Sequence, residues 1–426
     1  MHRFSDSADA ESPHHASKAR LDPRLLVLFA MLYAVQGVVI SYFLTFNGRF
    51  MTADSHAGER LTISQVGWSQ TIATLPLAVK FLFGLWADRF SFLGFGHRRP
   101  YVMLGLIMQS LGLFGLTLID PTTHLRLFTL TATIAVSGLC FYDVSCDAFA
   151  VQATPADDRT RVQGILQAAR FLSTALCGVL FGLIWNLSEV PGHGVLWLCG
   201  LLPLPSLVYV MSIAEPPHVR SVEGFGPGIF RMFRHRALWG LLCFSVIYAI
   251  VSFGVEGVLV FWFAAPTLAF SERALGFQSL GRNCGRALGA VAQGRMAARF
   301  SQRTLVASGL VGLSLAAFLF GTVGGYASAM CVGIVFGFAV GWLDALACSM
   351  AMDEADPAMP ASTFALIMAF QNLGILGSGL MNALAENVGF VTAFGIAAVV
   401  NLVALAAWPL IAVRPRKGEE TVTWSV

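Results

Sequence analysis

The chain has 426 residues, of which 56% are hydrophobic and 12% charged, with a formal net charge of +3. A soluble domain carries roughly 25% charged residues, so this composition cannot coat a water-soluble protein of such length. The net charge is too small to suggest nucleic acid as a partner, and the placement of the basic residues says more than their sum.

In chain order, residues 1–24 are polar and contain His14, His15, Lys18 and Arg20. They lack the apolar core of a cleaved signal peptide and are expected to form a cytoplasmic tail. Apolar runs of about 20 residues, the length that a bilayer crossing needs, follow at 25–46, 63–86, 101–119, 127–151, 162–185 and 195–213. Segment 214–237 breaks the pattern with Glu215-Pro216-Pro217, Gly224, Gly226, Pro227 and Gly228, then Arg231, Arg234 and Arg236. It reads as a cytoplasmic linker between two halves, 25–213 and 238–413. Six more runs fill the second half, at 238–264, 275–297, 304–323, 327–351, 362–385 and 389–413, and 414–426 is a second tail. The expected fold is an all-α integral membrane protein with twelve transmembrane helices in two pseudo-symmetric six-helix halves.

Lys and Arg set the orientation. With the amino terminus inside, inner segments hold 19 of the 27 basic residues, and outer loops hold only Arg49, Arg60, Arg126 and Arg273. Both termini are therefore expected on the cytoplasmic side of the plasma (inner) membrane. The eight cysteines lie in or at the ends of apolar spans with no C-x-x-C pair. They read as packing residues, so no metal and no cofactor is expected.

One motif stands out. Gly84-Leu-Trp-Ala-Asp88-Arg89-Phe-Ser91 leaves an apolar span and runs on to Gly96-His97-Arg98-Arg99-Pro100-Tyr101. Gly294, Ala297, Arg299, Phe300 and Ser301 repeat Gly84, Ala87, Arg89, Phe90 and Ser91 at a constant offset of 210, with Ala298 in place of the acid. Such an echo indicates a duplicated membrane protein. The motif resembles the G-x-x-x-D-R…G-x-R-R signature of the major facilitator superfamily. That resemblance implies a gate in which Gly84, Asp88, Arg89, Arg98 and Arg99 latch the cytoplasmic ends of helices. Loss of the acid at Ala298 implies an asymmetric gate.

Eight charges lie inside spans: Lys80, Asp143, Asp147, Arg170, Glu256, Arg282, Arg286 and Asp344. Each costs ~2.5–3.5 kcal/mol at a helix centre on the milder insertion scale, so four positive and four negative charges suggest pairing or a wet cavity. They occupy spans 2, 4, 5, 7, 8 and 10 and avoid 3, 6, 9 and 12, which are the lipid-facing scaffold helices of the facilitator fold. Asp143 and Asp147 share one helix face. Two carboxylates so close disfavour double ionisation, so the pair can carry a proton or meet the solute; alternatively each pairs with Arg170 or Lys80. Arg282 and Arg286, set among Gly281, Gly285 and Gly289, can hold an anion or pair with Glu256 or Asp344. Glu256, between Gly254 and Gly257, is a proton site or a structural partner of Arg282. Gln36, Gln167, Asn283, Gln371 and Asn372 are candidates for hydrogen bonds to the solute.

Three stretches narrow the resemblance. Leu75-Pro76-x3-Lys80-Phe-Leu with Asp88-Arg89 is similar to bacterial muropeptide permeases and acetyl-coenzyme A transporters. Gly94 with Arg98-Arg99-Pro100-Tyr101 is similar to folate–biopterin transporters, whose pattern often has an acid where Gln152 stands. Asp143-x3-Asp147-Ala148, Thr154-Pro-Ala-Asp-Asp-Arg159 and Arg170 resemble both. The resemblance implies a monomeric, proton-coupled symporter of an organic, anionic solute that works by alternating access. The competing expectation is a transport-inactive member acting in assembly or sensing. H-E-x-x-H, G-x-S-x-G and nucleotide-loop motifs are absent, so an enzyme is not expected.

Overall fold

The computed structural model describes residues 22–53, 55–89, 96–154, 159–213, 215, 236–297, 299–354 and 360–406. Among them every regular element is helical. The first set is α1 (Pro23–Ser41), a π turn (Tyr42–Phe46), α2 (Asn47–Met51), α3 (Ile63–Ala78), α4 (Lys80–Arg89), α5 (Arg99–Leu116), α6 (Leu125–Ala153), α7 (Arg159–Ile184), α8 (His193–Leu201) and α9 (Pro203–Ser212). The second is α10 (Arg236–Ala264), α11 (Glu272–Met296), α12 (Gln302–Phe320), α13 (Tyr326–Glu354), α14 (Pro360–Asn372), a 3-10 turn (Leu373–Ile375), α15 (Leu376–Val388) and α16 (Phe390–Val403). Among the described residues helix underlies each of the twelve predicted spans, with 407–413 of the last outside them. Eight segments among the described residues are long and apolar enough to cross a membrane; α3–α4, α5, α11 and the shorter α16 fall outside those eight.

Three predicted spans are interrupted. The span 63–86 breaks at Val79; Pro76, which lacks the N–H that would reach Ile72, lies inside α3 itself. The span 195–213 divides at Leu202, with Pro203 opening α9 as a first-turn proline. The span 362–385 tightens into the 3-10 turn at Leu373–Ile375. Broken helices of this kind persist in a bilayer only where other groups satisfy the freed carbonyls. Here Asn372 donates to the Leu77 carbonyl at 2.9 Å, directly before the Val79 break.

Two apolar cores form. One is built from Leu25 to Ile213, around Phe29, Phe46, Phe50, Phe128 and Phe181. The other runs from Leu238 to Ala404, around Phe244, Phe263, Phe320, Phe336 and Phe394. α11 packs tightly on α13. A Cβ on Gly337 or Gly341 would collide with the carbonyl of Arg282 or Arg286 respectively. Glycine at those two positions is what lets the backbones approach so closely, and this packing aims the two arginines.

Hydrogen bonds between the two sets join Arg49 to Glu272, Thr45 to Ser279, Ser64 to Glu386, Thr71 to Ile375 and Gly379, and Asn372 to Leu77. All but the Asn372–Leu77 bond, which lies near mid-span, come from the half of each span that lies away from the chain termini.

Candidate functional site

In the first set, α4, α6 and α1 bring together Lys80, Asp143 and Gln36. Lys80 Nζ lies 3.3 Å from Asp143 Oδ2, and Gln36 Nε2 donates to Asp143 Oδ1 at 2.6 Å. One turn further along α6, Asp147 accepts from the Tyr33 hydroxyl at 2.5 Å. The shared face of the two aspartates is observed, but they have different partners. Arg170 on α7 is half-buried, and among the described residues it has no carboxylate partner; its guanidinium lies 5.2 Å from the Phe171 ring centre.

In the second set, Arg286 bridges two acids. Its Nη2 sits 3.0 Å from Glu256 Oε1 and its Nε 3.9 Å from Asp344 Oδ2. Tyr248 donates to Asp344 Oδ1 at 3.1 Å, and Gln371 Nε2 reaches the same oxygen at 3.3 Å. Glu256 therefore pairs with Arg286, not with Arg282. Arg282 is only 6% exposed, and its Nε and Nη1 have no hydrogen-bond partner. A buried cation in that condition is expensive, and its persistence marks a place where something else supplies the acceptor.

The remaining candidates divide. Gln371 joins the Asp344 cluster, Gln36 holds Asp143, and Gln167 keeps a buried, unpartnered Oε1. Asn283 turns its amide to the Ser279 carbonyl, and Asn372 is occupied at the α3–α4 break. At the motif loop, Gly84 packs towards Val144. The backbone N–H groups of Arg98 and Arg99 donate to the Glu215 carboxylate, and Arg99 Nη2 donates to the Met211 carbonyl at 2.7 Å. These bonds fasten the start of α5 to the end of α9, within one set of helices. The Asp88 and Arg89 side chains, Ala298 and most of 214–237 lie outside the described residues.

Sequence reasoning missed Tyr33 and Tyr248, the phenols on the two aspartates. A signal for them exists: Tyr33-Ala34-Val35 recurs as Tyr248-Ala249-Ile250, and Asp147-Ala148-Phe149-Ala150 as Asp344-Ala345-Leu346-Ala347. Each set thus holds a tyrosine of its first long helix against an aspartate of its fourth span.

A family model described as Major Facilitator Superfamily matches residues 25–281 and 247–423. Among curated proteins, Probable folate-biopterin transporter 2 of Arabidopsis thaliana is 25% identical over 219 residues, 48% of this chain and 43% of that protein. Anhydromuropeptide permease of Escherichia coli (strain K12) is 22% identical over 196 residues, 45% of this chain and 39% of that protein. The matches thus span less than half the length of each relative, and they come from two of the groups that the motifs resemble. Among solved structures, a POT family transporter in complex with 5-aminolevulinic acid superposes with a TM-score of 0.73 at 13% identity, over 91% of this chain and 96% of the other. An inward-facing, occupied bacterial homolog to the human lysosomal transporter Spinster gives 0.71 at 14%, over 91% and 95%. The nucleoside transporter NupG gives 0.68 at 16%, over 91% and 98%. At such identities the likeness is one of fold.

Proposed function

Because this chain belongs to the major facilitator superfamily, a family of multi-pass membrane transporters and not of enzymes, we propose that it is a secondary transporter. It moves an organic, anionic solute by alternating access, coupled to protons. The halves 25–213 and 238–413 rock about a site between them, joined by the linker 214–237 and flanked by tails at 1–24 and 414–426. One observation carries this reading: intramembrane charges pair within each half, Lys80 with Asp143 and Arg286 with Glu256 and Asp344, while Arg170 and Arg282 form no salt bridge among the described residues. Intramembrane charges of this kind mark solute and ion paths. Names of the relatives, a folate-biopterin transporter and an anhydromuropeptide permease, support an organic solute.

The 19-to-4 bias of basic residues supports cytoplasmic termini in the plasma (inner) membrane. In that orientation the bonds between halves, apart from Asn372–Leu77 near mid-span, lie on the outer side, which fits an inward-facing state. The protein works as a monomer, with the gate residues Gly84, Asp88, Arg89, Arg98 and Arg99 at the inner rim and Asp147 as a proton carrier.

The test is uptake into proteoliposomes under an imposed pH gradient, with muropeptides, acyl-coenzyme A, pterins and simple organic acids as solutes. At least one is expected to accumulate, and Asp147→Asn to abolish accumulation driven by the gradient. No flux of any solute, with Asp147→Asn indistinguishable from wild type, overturns the reading.

A further inference from the structure

At the junction of the two halves a small cavity holds polar atoms that nothing satisfies. Its walls are Leu44 and Thr45 from the first half, with Glu256, Leu259, Phe263, Gln278 and Arg282 among those from the second. Arg282 lies about ten residues into α11, roughly 15 Å from its outer end, and so close to mid-membrane. The cavity has room for about one water molecule. Because one wall belongs to the other half, it widens when the halves part.

The unsatisfied atoms form a complementary set. Arg282 Nε and Nη1 and Gln278 Nε2 are buried donors without acceptors, and Glu256 Oε2 is a buried acceptor without a donor. Gln278 is 1% and Glu256 4% exposed. A buried polar atom left unmade costs as much as a lost hydrogen bond; Arg282 and Glu256, which both line the cavity, hold two such donors and one such acceptor, whereas Gln278 Nε2 lies against Gly333 of α13. The missing group must accept on one side and donate on the other.

Charge decides what that group is. Arg282 and Arg286 balance Glu256 and Asp344. An anion entering alone would leave one buried charge without compensation, which is costly. An anion entering with one proton leaves the balance intact. We propose that this cavity receives a carboxyl group of the solute together with one proton. The carboxyl oxygens accept from Arg282 Nε and Nη1, and the proton lies between the carboxyl group and Glu256 Oε2. The proposal deepens the transport reading and rests on it, since it places one anion and its proton in a single pocket.

Other groups around Glu256 are few among the described residues. Arg282 and Arg286 face it from α11, and Arg286 links it to Asp344 of α13, which Tyr248 of α10 and Gln371 of α14 contact. Leu44 and Thr45 of the first half bring no titratable group, and α15 brings Ser378 against the adjacent Gly257.

The test uses full-length protein purified in detergent, with benzoate as the probe and benzamide as its uncharged analogue at constant ionic strength. Benzoate, and not benzamide, raises Tm, and in unbuffered solution its binding takes up about one proton. Arg282→Met weakens benzoate at least about tenfold, and Arg282→Lys, which keeps the charge balance but not the planar fork, weakens it less. Glu256→Gln still binds benzoate but takes up no proton. No benzoate shift in wild type, an equal shift in Arg282→Met, or no proton uptake in wild type overturns the proposal. Flux separates the two readings. A wild type that transports but fails these tests keeps the transporter and loses the site; one that passes them but moves no solute keeps the site and loses the transporter.

Discussion

The ion pair between Arg49 and Glu272 ties the end of α2 to the first turn of α11, one residue from each half. Arg49 Nε and Nη2 both donate to Glu272 Oε1, at 3.0 and 2.9 Å, and the side chains are 36% and 16% exposed. Glu272 also gains from the amino-terminal end of its helix. Breaking a fully buried pair costs about 3–5 kcal/mol, and an exposed one contributes about 0–1 kcal/mol. With Arg49 more than a third exposed, the lower range applies, and about 1 kcal/mol is the working figure. The pair exists only while the outer ends are together, so its loss acts on the conformational equilibrium. Glu272→Gln should then raise the ratio of outward-open to inward-open protein roughly fivefold. Spin labels at Glu59→Cys and Val388→Cys, in a background without the native cysteines, report the outer separation by double electron–electron resonance. The long-distance fraction is expected to grow about fivefold, and Arg49→Gln with Glu272→Gln to do no more than either alone. Unchanged distance distributions in all three variants would refute the latch.

Lys80→Met leaves Asp143, 7% exposed, with Gln36 as its remaining partner; a Tm loss equivalent to about 3–5 kcal/mol is expected. Lys80→Met with Asp143→Leu should recover most of that stability, as read by Tm in detergent, while uptake stays lost. Gly337→Ala sets a methyl against the Arg282 carbonyl and should cost about 1–3 kcal/mol. Gly324→Ala, where nothing lies within 4 Å, should stay within about 0.5 kcal/mol of wild type. In the loop before α6, partial burial alone would raise the Asp120 carboxyl, but hydrogen bonds from Thr122 and Ala57, with His56 nearby, hold it below the usual carboxylate range. Its stabilisation is therefore complete above the unfolded value near 4 and lost as the pH falls through the lower folded value. The Tm gap between wild type and Asp120→Asn, worth about 1 kcal/mol, should be present at pH 6 and vanish under strong acid.

The fold was legible because a bilayer constrains composition so strongly. Runs of about 20 apolar residues admit few structures other than spanning helices, and among the described residues helix lies under every predicted run. The interruptions were less legible, although Pro76 and Pro203 were visible. Proline in a span can kink, break or be tolerated, and the outcome depends on which neighbour satisfies the freed carbonyl. Asn372, nearly 300 residues away, satisfies Leu77, and no local rule connects them. The same limit applies to the charges. Their identity and their avoidance of four spans could be read directly, but their pairing could not. Glu256 had two arginines within one turn to choose from, and the α11–α13 approach at Gly337 and Gly341 decides for Arg286.

The tyrosines show what a search for charge overlooks. A phenol carries no charge at neutral pH and reads as packing, yet Tyr33 and Tyr248 hold Asp147 and Asp344 in matching positions of the two halves. The halves also match in total, since Lys80 and Arg170 balance Asp143 and Asp147 just as Arg282 and Arg286 balance Glu256 and Asp344. Two neutral halves can move past each other without dragging a net charge through the bilayer. What differs is how each half satisfies its charges. The first sets a flexible ammonium on one acid. The second uses a single planar guanidinium for two acids, which frees the other guanidinium one turn towards the outer side. The duplicated scaffold therefore supplies balance and leaves one guanidinium in each half without a carboxylate partner, Arg170 half-buried and Arg282 buried at the junction of the halves.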